Sequence, residues 1–226
     1  MYFIAHRGYS DNFEDNSVQS INAAINHCFD MIEIDVQYTK DNILVLHHDV
    51  YCAKVNKMVY EMNEYEAVNN GILTLEQFFQ LLTLRNAKCT QIYLDLKSTP
   101  KTANILVEFL KDKQEWYHRL YIGSFHIDML HILKDADFPN LKLGLSLSSH
   151  IPYIVNNETI MSTIDFVSFD WNIIDQTTIT SLKLKKKEVF LFTCHNICEY
   201  KHILKTVEIR QIDGIFTNIV LKKTHI

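Results

Sequence analysis

Residues 31–49 read MIEIDVQYTKDNILVLHHD, two apolar runs that are separated by a polar turn. A two-residue turn at Asp41-Asn42, or one residue earlier, predicts a β-hairpin. Because the side chains of a strand alternate between its faces, Glu33 and Asp35 point the same way. The later turn places Asp35 opposite His48, and the earlier turn places Glu33 opposite His48. Both registers therefore bring an imidazole to the face that carries the two carboxylates.

The shared face of Glu33, Asp35 and His48 has two interpretations. A sheet with one face in water commonly alternates apolar and polar residues, and such a face needs no ligand. Carboxylate oxygens are also the ligands that Mg²⁺ and Ca²⁺ prefer, so the same residues could form a cation site. The hairpin alone leaves both interpretations open, and the rest of the chain has to decide between them.

The composition is that of a globular protein from a reducing compartment. The 226 residues are 47% hydrophobic, which is enough for a core, and the net charge of −5 gives no electrostatic case for nucleic acid. The five cysteines are odd in number and lack the spacing of a disulfide framework. No run approaches the ~20 apolar residues of a transmembrane segment, and the N-terminal residues do not resemble a signal peptide. We therefore expect a soluble, cytoplasmic protein with no nucleic-acid partner and no transmembrane segment.

Strand-like and helix-like segments alternate along the whole sequence. When the return arm of the hairpin is omitted, eight strand-like segments begin near residues 2, 31, 91, 119, 141, 165, 188 and 213. Most of them are separated by helical patterns, and no linker rich in proline, glycine or serine divides the chain. This alternation predicts a (β/α)₈ TIM barrel of the α/β class, formed by a single domain over residues 1–226.

In such a barrel the carboxyl ends of the strands meet at one mouth, where active sites are found. Polar residues of this sequence lie at or near the ends of the first three predicted strands, and the hairpin returns one more to the same level. They are His6, Arg7, Glu33, Asp35, His48, Asp95 and Lys97. Their convergence favours the interpretation of the hairpin face as a cation site.

The motifs of the chain resemble those of a known family. The stretches IAHRGYSDNFEDNS and DMIEIDVQYTKDNILVLHHD, followed by LTLEQFFQLL, YLDLKST, IGSF, FTCHN and IDGIFTN, are similar to the signature of the glycerophosphodiester phosphodiesterases. The resemblance covers nearly the whole chain. It implies a (β/α)₈ barrel that hydrolyses a small-molecule glycerophosphodiester to glycerol 3-phosphate and an alcohol.

The resemblance also implies a role for each of the seven polar residues. It implies that His6 and His48 are the acid/base histidines. It implies that Arg7 and Lys97 neutralise the phosphate, and that Glu33, Asp35 and Asp95 bind the metal. The expected cofactor is one divalent cation, Mg²⁺ or Ca²⁺, with Mn²⁺ as an alternative. The sequence leaves open which histidine is the base. It also leaves open whether the nucleophile is water or the substrate's own glycerol hydroxyl.

Two positions depart from the family pattern. Asp95 stands where the family usually has Glu, and residues 14–17, EDNS, stand where it has Pro-Glu-Asn-Thr. The related sphingomyelinase D-like phospholipases use Asp at the first position, so one alternative is a phospholipase D-like hydrolase of lysophospholipids or sphingomyelin. A second alternative is a barrel that binds phosphoesters without catalysis. Such a barrel would typically lack one of the seven polar residues, all of which are present here.

Overall fold

The computed structural model describes residues 1–87, 90–149 and 151–221, including all side chains except those of residues 151 and 152. Eight parallel strands form a closed barrel, because the first strand pairs with both the second and the last. Each barrel strand begins within one residue of its predicted start, and the predicted fold class is confirmed. The strands are β1 (Tyr2–Ala5), β2 (Met31–Tyr38), β3 (Leu44–Leu46), β4 (Tyr51–Cys52), β5 (Lys57–Met58), β6 (Gln91–Leu96), β7 (Leu120–Ser124), β8 (Lys142–Leu147), β9 (Phe166–Asp170), β10 (Glu188–Cys194) and β11 (Gly214–Thr217).

Helices on the outside of the barrel connect its strands. Several begin after a residue whose side chain accepts a hydrogen bond from the first turn, as Ser17, Thr74 and Asn196 do. Every helix in the described ranges is too short or too polar to cross a membrane. The helices are α1 (Val18–Asn26), α2 (Glu64–Asn69), α3 (Leu75–Leu84), α4 (Pro100–Leu110), α5 (Ile127–Asp135), α6 (Ile151–Val155), α7 (Glu158–Thr163), α8 (Gln176–Leu184) and α9 (Ile197–Thr206).

The lower half of the barrel interior is filled by large side chains. Two glycines make room for them, because a Cβ on Gly123 would overlap the ring and hydroxyl of Tyr93, and one on Gly144 would overlap the ring of Phe166. This packing closes the barrel from below, so that polar groups further along the same strands face a cavity at the carboxyl ends. The cluster consists of Ile4, Met31, Tyr93, Tyr121, Phe166, Phe190 and Phe216.

The hairpin of β2 and β3 differs from both predicted registers, which were wrong. Gln37 on β2 lies opposite Val45 on β3, and the connection between the two strands has five residues instead of two. Thr39 accounts for the longer connection, since its hydroxyl donates to the carboxylate of Asp41 over 2.6 Å. Asn42 adopts a left-handed backbone with φ of 64°, which asparagine tolerates better than most residues.

Residues 50–71 form a small unit beside the hairpin. The ribbon of β4 and β5 and the helix α2 bury their own apolar cluster, which includes Cys52, Val59 and Met62, against Val45 of β3. The side chain of Lys54 in the ribbon pairs with Glu14 in the loop between β1 and α1. The unit therefore packs against the hairpin and contacts the first loop of the barrel mouth.

Candidate active site

A cavity of about 160 Å³ opens at the carboxyl ends of the barrel strands. All seven polar residues predicted from the sequence line it, so the structure brings the complete set together. Their chemical roles stay predictions. The lining residues are His6, Arg7, Glu33, Asp35, His48, Tyr93, Asp95, Lys97, Phe125, Ser146, Phe192, Thr193 and Phe216.

Three buried carboxylates form the floor of this cavity. Asp35 on β2 and Asp95 on β6 are register partners, and Glu33 lies two residues earlier on β2 and faces the same way. One oxygen from each of the three carboxylates lies within 4.8 Å of the others. Within the described ranges, no other group of histidines, cysteines and carboxylates is arranged in this way. The pairing of two neighbouring parallel strands thus accounts for the cluster.

The cluster fits a hard divalent cation by two observations. Its donor atoms are all carboxylate oxygens, which suit Mg²⁺ and Ca²⁺. In addition, Oδ1 of Asp95 is buried without a hydrogen-bond partner. A buried acceptor of this kind is costly unless something binds it. The three residues therefore have both the chemistry and an unpaired oxygen for a bound cation.

The charges in the cluster perturb one another. Burial, followed by the charges of Asp35 and Asp95, raises the pKa of Glu33 well above its usual value. Burial also raises the pKa of Asp95, although Lys97 opposes the rise. For Asp35, burial is outweighed by the charges of Lys97 and Arg7, which hold its pKa below the usual value. A divalent cation at this position would favour the ionised form of all three carboxylates.

Two cationic side chains bind the same carboxylates from above. The ammonium of Lys97 lies 3.1 Å from Oδ1 of Asp35 and 2.5 Å from Oδ2 of Asp95. Nε of Arg7 lies 3.3 Å from Asp35, and its Nη1 lies 2.7 Å from Asp15. The three carboxylates and the two cations together leave one negative charge in excess. A bound divalent ion would therefore give the group a net positive charge. A net positive charge suits an anionic phosphodiester.

The backbone of Arg7 contributes to this arrangement as well. Arg7 has a left-handed φ of 55°, and its amide donates to Oε2 of Glu33 over 2.7 Å. The carbonyl of the same residue accepts from the hydroxyl of Ser20 in α1 over 3.0 Å. These contacts fix the loop after β1 against both the acid cluster and the first helix.

His6 is held as a neutral imidazole. Its Nδ1 lies 2.8 Å from Oδ1 of Asn218, an atom that only accepts hydrogen bonds, so Nδ1 carries the proton. Nδ2 of Asn218 lies 3.5 Å from Nδ1 of His195, which is consistent with this orientation of the amide. Burial, followed by the charge of Arg7, lowers the pKa of His6 to about 4. At neutral pH, Nε2 of His6 therefore carries a free lone pair.

His48 reaches the cavity for a different reason from the one predicted. In the observed register His47 lies opposite Asp35, to whose carbonyl its amide donates over 3.2 Å. Strict alternation would then turn His48 to the other face. The strand ends at Leu46, however, and the bend that follows turns His48 back into the cavity. Nδ1 of His48 lies 2.8 Å from a carboxylate oxygen of Asp49.

Residues 6–222, which include every residue that lines the cavity, match the model of the Glycerophosphoryl diester phosphodiesterase family. The chain belongs to this family. The glycerophosphodiester phosphodiesterase of Bacillus altitudinis is 24% identical over 237 aligned residues, which cover 95% of this chain and 93% of that protein. The predicted family and its enzyme class, a phosphoric diester hydrolase, are confirmed.

Solved structures of phosphodiesterases share the fold of this family member. A phosphodiesterase of Oleispira antarctica, solved in complex with the product sn-glycerol-3-phosphate, matches with a TM-score of 0.80 at 22% identity, and covers 96% of this chain and 93% of that one. A putative glycerophosphoryl diester phosphodiesterase of Silicibacter pomeroyi matches with a TM-score of 0.81 at 14% identity, over 96% and 90% of the two chains. The TIM barrel is therefore the fold of these relatives too.

Two asparagines of this phosphodiesterase-family site were missed in the sequence. Asn16 was noted only as part of the EDNS segment, but its Nδ2 donates to Oδ2 of Asp35 over 2.8 Å and its Oδ1 accepts from the amide of Asp35 over 3.0 Å. Asn218 holds His6, as described above. A signal existed for each, because Asn16 lies in the EDNS segment and Asn218 ends the IDGIFTN motif.

Proposed function

We propose that this protein is a metal-dependent phosphodiesterase that hydrolyses glycerophosphodiesters to glycerol 3-phosphate and an alcohol. The observation that carries the proposal is the meeting of three carboxylates, two cations and two imidazoles in one cavity of about 160 Å³. Family membership supports the type of reaction. The Oleispira antarctica relative, which was solved with sn-glycerol-3-phosphate, supports the product.

Glu33, Asp35 and Asp95 would hold one divalent cation, Mg²⁺ or Ca²⁺, with Mn²⁺ as an alternative. When bound, the cation supplies a Lewis acid that neutralises charge on a phosphoryl oxygen. The protein's own cations assist it. Arg7 offers a planar guanidinium to phosphate oxygens, and Lys97 uses two of its three ammonium donors on carboxylates and keeps one for the phosphate.

The hydrogen-bond partners of the two histidines support different roles for them in this mechanism. His6 has its proton on Nδ1, so its Nε2 accepts a proton from the nucleophile, which is water or the substrate's glycerol hydroxyl. Nδ1 of His48 lies 2.8 Å from a carboxylate oxygen of Asp49, a contact that fixes the ring at the cavity, so we assign to His48 the remaining role, the donation of a proton to the leaving oxygen. His6 is therefore the base and His48 the acid in the hydrolysis of the diester.

The size of the cavity favours a compact substrate. A space of about 160 Å³ accommodates a phosphate and a short polyol, whereas the acyl chain of a lysophospholipid would have to lie outside it. For this reason we rank the phospholipase D-like alternative below the glycerophosphodiester. The non-catalytic alternative ranks lowest, because every predicted polar residue lines the cavity.

The cysteines of the described residues, Cys28, Cys52, Cys194 and Cys198, are free thiols, which supports the expected cytoplasmic location.

The proposal is tested by measuring choline release from glycerophosphocholine and from lysophosphatidylcholine, with glycerol 3-phosphate and lysophosphatidic acid as the respective second products. Activity should disappear after dialysis against a chelator and return with Mg²⁺, Ca²⁺ or Mn²⁺. His6→Ala should lower turnover by about 10²-fold or more, the usual scale of an acid/base group. His118→Ala, an exposed histidine at the other end of the barrel, is the matched control. Full turnover in chelator, or in His6→Ala, would refute the mechanism.

A further inference from the structure

Gln37 is a buried glutamine directly above the acid cluster. It lies on β2, two residues after Asp35 on the same face of the strand, and only 1% of its surface is exposed. A side-chain amide in such a position is costly unless its donors and its acceptor are all bound. Its partners therefore show what it does.

The amide of Gln37 connects two loops of the barrel mouth. Its Nε2 lies 2.9 Å, 3.0 Å and 2.6 Å from the carbonyl oxygens of His47, His48 and Asp49, respectively. With two hydrogens for three acceptors, one N–H is shared. Its Oε1 accepts from the hydroxyl of Ser98 over 2.7 Å. Gln37 thus holds the backbone on both sides of His48 and the residue that follows Lys97.

The observed register explains why such a contact is needed. In this register a continued strand would turn His48 away from the carboxylates, but β3 ends at Leu46. The backbone carbonyls after Leu46 therefore lie outside the β2–β3 ladder and need other donors. Gln37 supplies donors to the carbonyls of His47, His48 and Asp49 from the adjacent strand, and the carbonyl of Asp49 also accepts from Nδ1 of His47 over 2.7 Å. On the other side, Ser98 has a left-handed φ of 70°, a strained backbone that a fixed contact stabilises.

We propose that Gln37 is a positioning residue that sets the location of the His48 imidazole relative to the phosphate-binding Lys97. Its amide donates to the His48 loop and accepts from the Lys97 loop at the same time. The proposal rests on the acid role that we propose for His48. Gln37 itself does not line the cavity.

Gln37→Met tests this, because methionine has a similar length but forms none of the four contacts. We expect kcat to fall about tenfold or more, since a small displacement of an acid/base group is costly to its reaction. We expect KM to change less than threefold, because Arg7 and Lys97 keep their carboxylate partners. Ser98→Ala removes only the contact to Oε1 and should lower kcat about threefold. It also serves if Gln37→Met does not fold.

The decisive measurement is a double-mutant cycle with His48→Ala. If Gln37 acts through His48, adding Gln37→Met or Ser98→Ala to His48→Ala causes no further loss of kcat. Gln176→Met is the matched control, because Gln176 also bridges two segments, accepting from the amide of Glu208 over 2.7 Å and donating to Gln211 over 2.9 Å. That variant should lose stability and keep wild-type kcat at a temperature where it is folded.

The outcomes separate this inference from the proposed function. The positioning role would be overturned if folded Gln37→Met had wild-type kcat, or if Gln37→Met lowered kcat equally in the wild type and in the His48→Ala background. An inactive His48→Ala variant would still leave the proposed mechanism in place. Wild-type activity in His48→Ala would overturn the acid role and the inference with it. A loss in Gln37→Met that disappears in the His48→Ala background, without a matching loss in Gln176→Met, supports the inference.

Discussion

Replacing Asn218 by aspartate should make the enzyme sensitive to acid. In the wild type, Oδ1 of Asn218 accepts from Nδ1 of His6 over 2.8 Å, and the pKa of His6 is lowered to about 4. Burial is the main cause, Arg7 adds to it, and Asp35 opposes it. The change Asn218→Asp keeps the shape and the acceptor and adds a negative charge beside the ring. That charge favours the imidazolium form and raises the pKa of His6.

The size of the effect follows from this geometry. A carboxylate at hydrogen-bond distance shifts a pKa by roughly 1–3 units, so that of His6 should rise to roughly 6. The base acts only when it is neutral. At pH 5 about nine-tenths of His6 is neutral in the wild type, against about one-tenth in the variant. As pH falls from 8 to 5, kcat/KM should therefore drop about tenfold in the variant and little through His6 in the wild type.

The assay is the pH profile of kcat/KM for glycerol 3-phosphate release, measured between pH 4.5 and 8.5 at saturating divalent ion. Asn218→Ala is the first control, since it removes the acceptor without adding charge and should lower the plateau without moving the acid limb upward. Asn104→Asp, on the exposed side of α4, controls for added charge elsewhere. An acid limb in folded Asn218→Asp at the wild-type position would refute the assignment of His6 as the neutral base.

Three further substitutions test the packing and the charges. Gly123→Ala should destabilise the protein by about 1–3 kcal/mol, seen in urea unfolding, because its Cβ overlaps Tyr93. Asn16→Ala should cost about 1–3 kcal/mol in the same assay and lower kcat, because Asp35 loses two hydrogen bonds. Lys97→Met removes the cation between two buried carboxylates, so added Mg²⁺ or Ca²⁺ should raise Tm more than in the wild type. An unchanged urea midpoint, or equal shifts in Tm, would contradict these expectations.

The barrel could be predicted from the sequence because its signals are local. Each strand is a short apolar run, and eight of them alternate with helical patterns, so the topology follows from counting. The meeting of His6, Asp35 and Asp95 was predictable for the same reason. Once the strands are parallel, residues near their carboxyl ends share one mouth, whatever the details of the loops.

The partners of these residues could not be predicted, because they are distant in sequence. His6 and Asn218 are 212 residues apart, and Asn16 and Asp35 are 19 apart. No periodicity connects such pairs, and a single sequence contains no covariation that would reveal them. Both asparagines also have an ordinary local explanation, as a helix cap or the end of a strand. Only the closed barrel shows that they bind His6 and Asp35.

The register of the hairpin could not be predicted either. The predicted registers were wrong, yet His48 still reaches the cavity. Two-residue turns are the commonest in hairpins, but the side chains of Thr39 and Asp41 stabilise a five-residue connection. A shift by one residue reverses which face each side chain occupies, so the argument that placed His48 was wrong. The placement was still right, because the strand stops before His48 and Gln37 binds the loop.

The register of the barrel strands also explains how the shorter side chain of Asp95 reaches the other two carboxylates. The family usually has Glu there, and the loss of one methylene should draw the carboxylate back from a cation. Asp95, however, is the direct register partner of Asp35, so the two side chains leave neighbouring strands at the same height. Its oxygen still lies within 4.8 Å of the oxygens of Glu33 and Asp35. The strand register, rather than the side-chain length, therefore brings the third carboxylate to the cluster, as the proposed cation site requires.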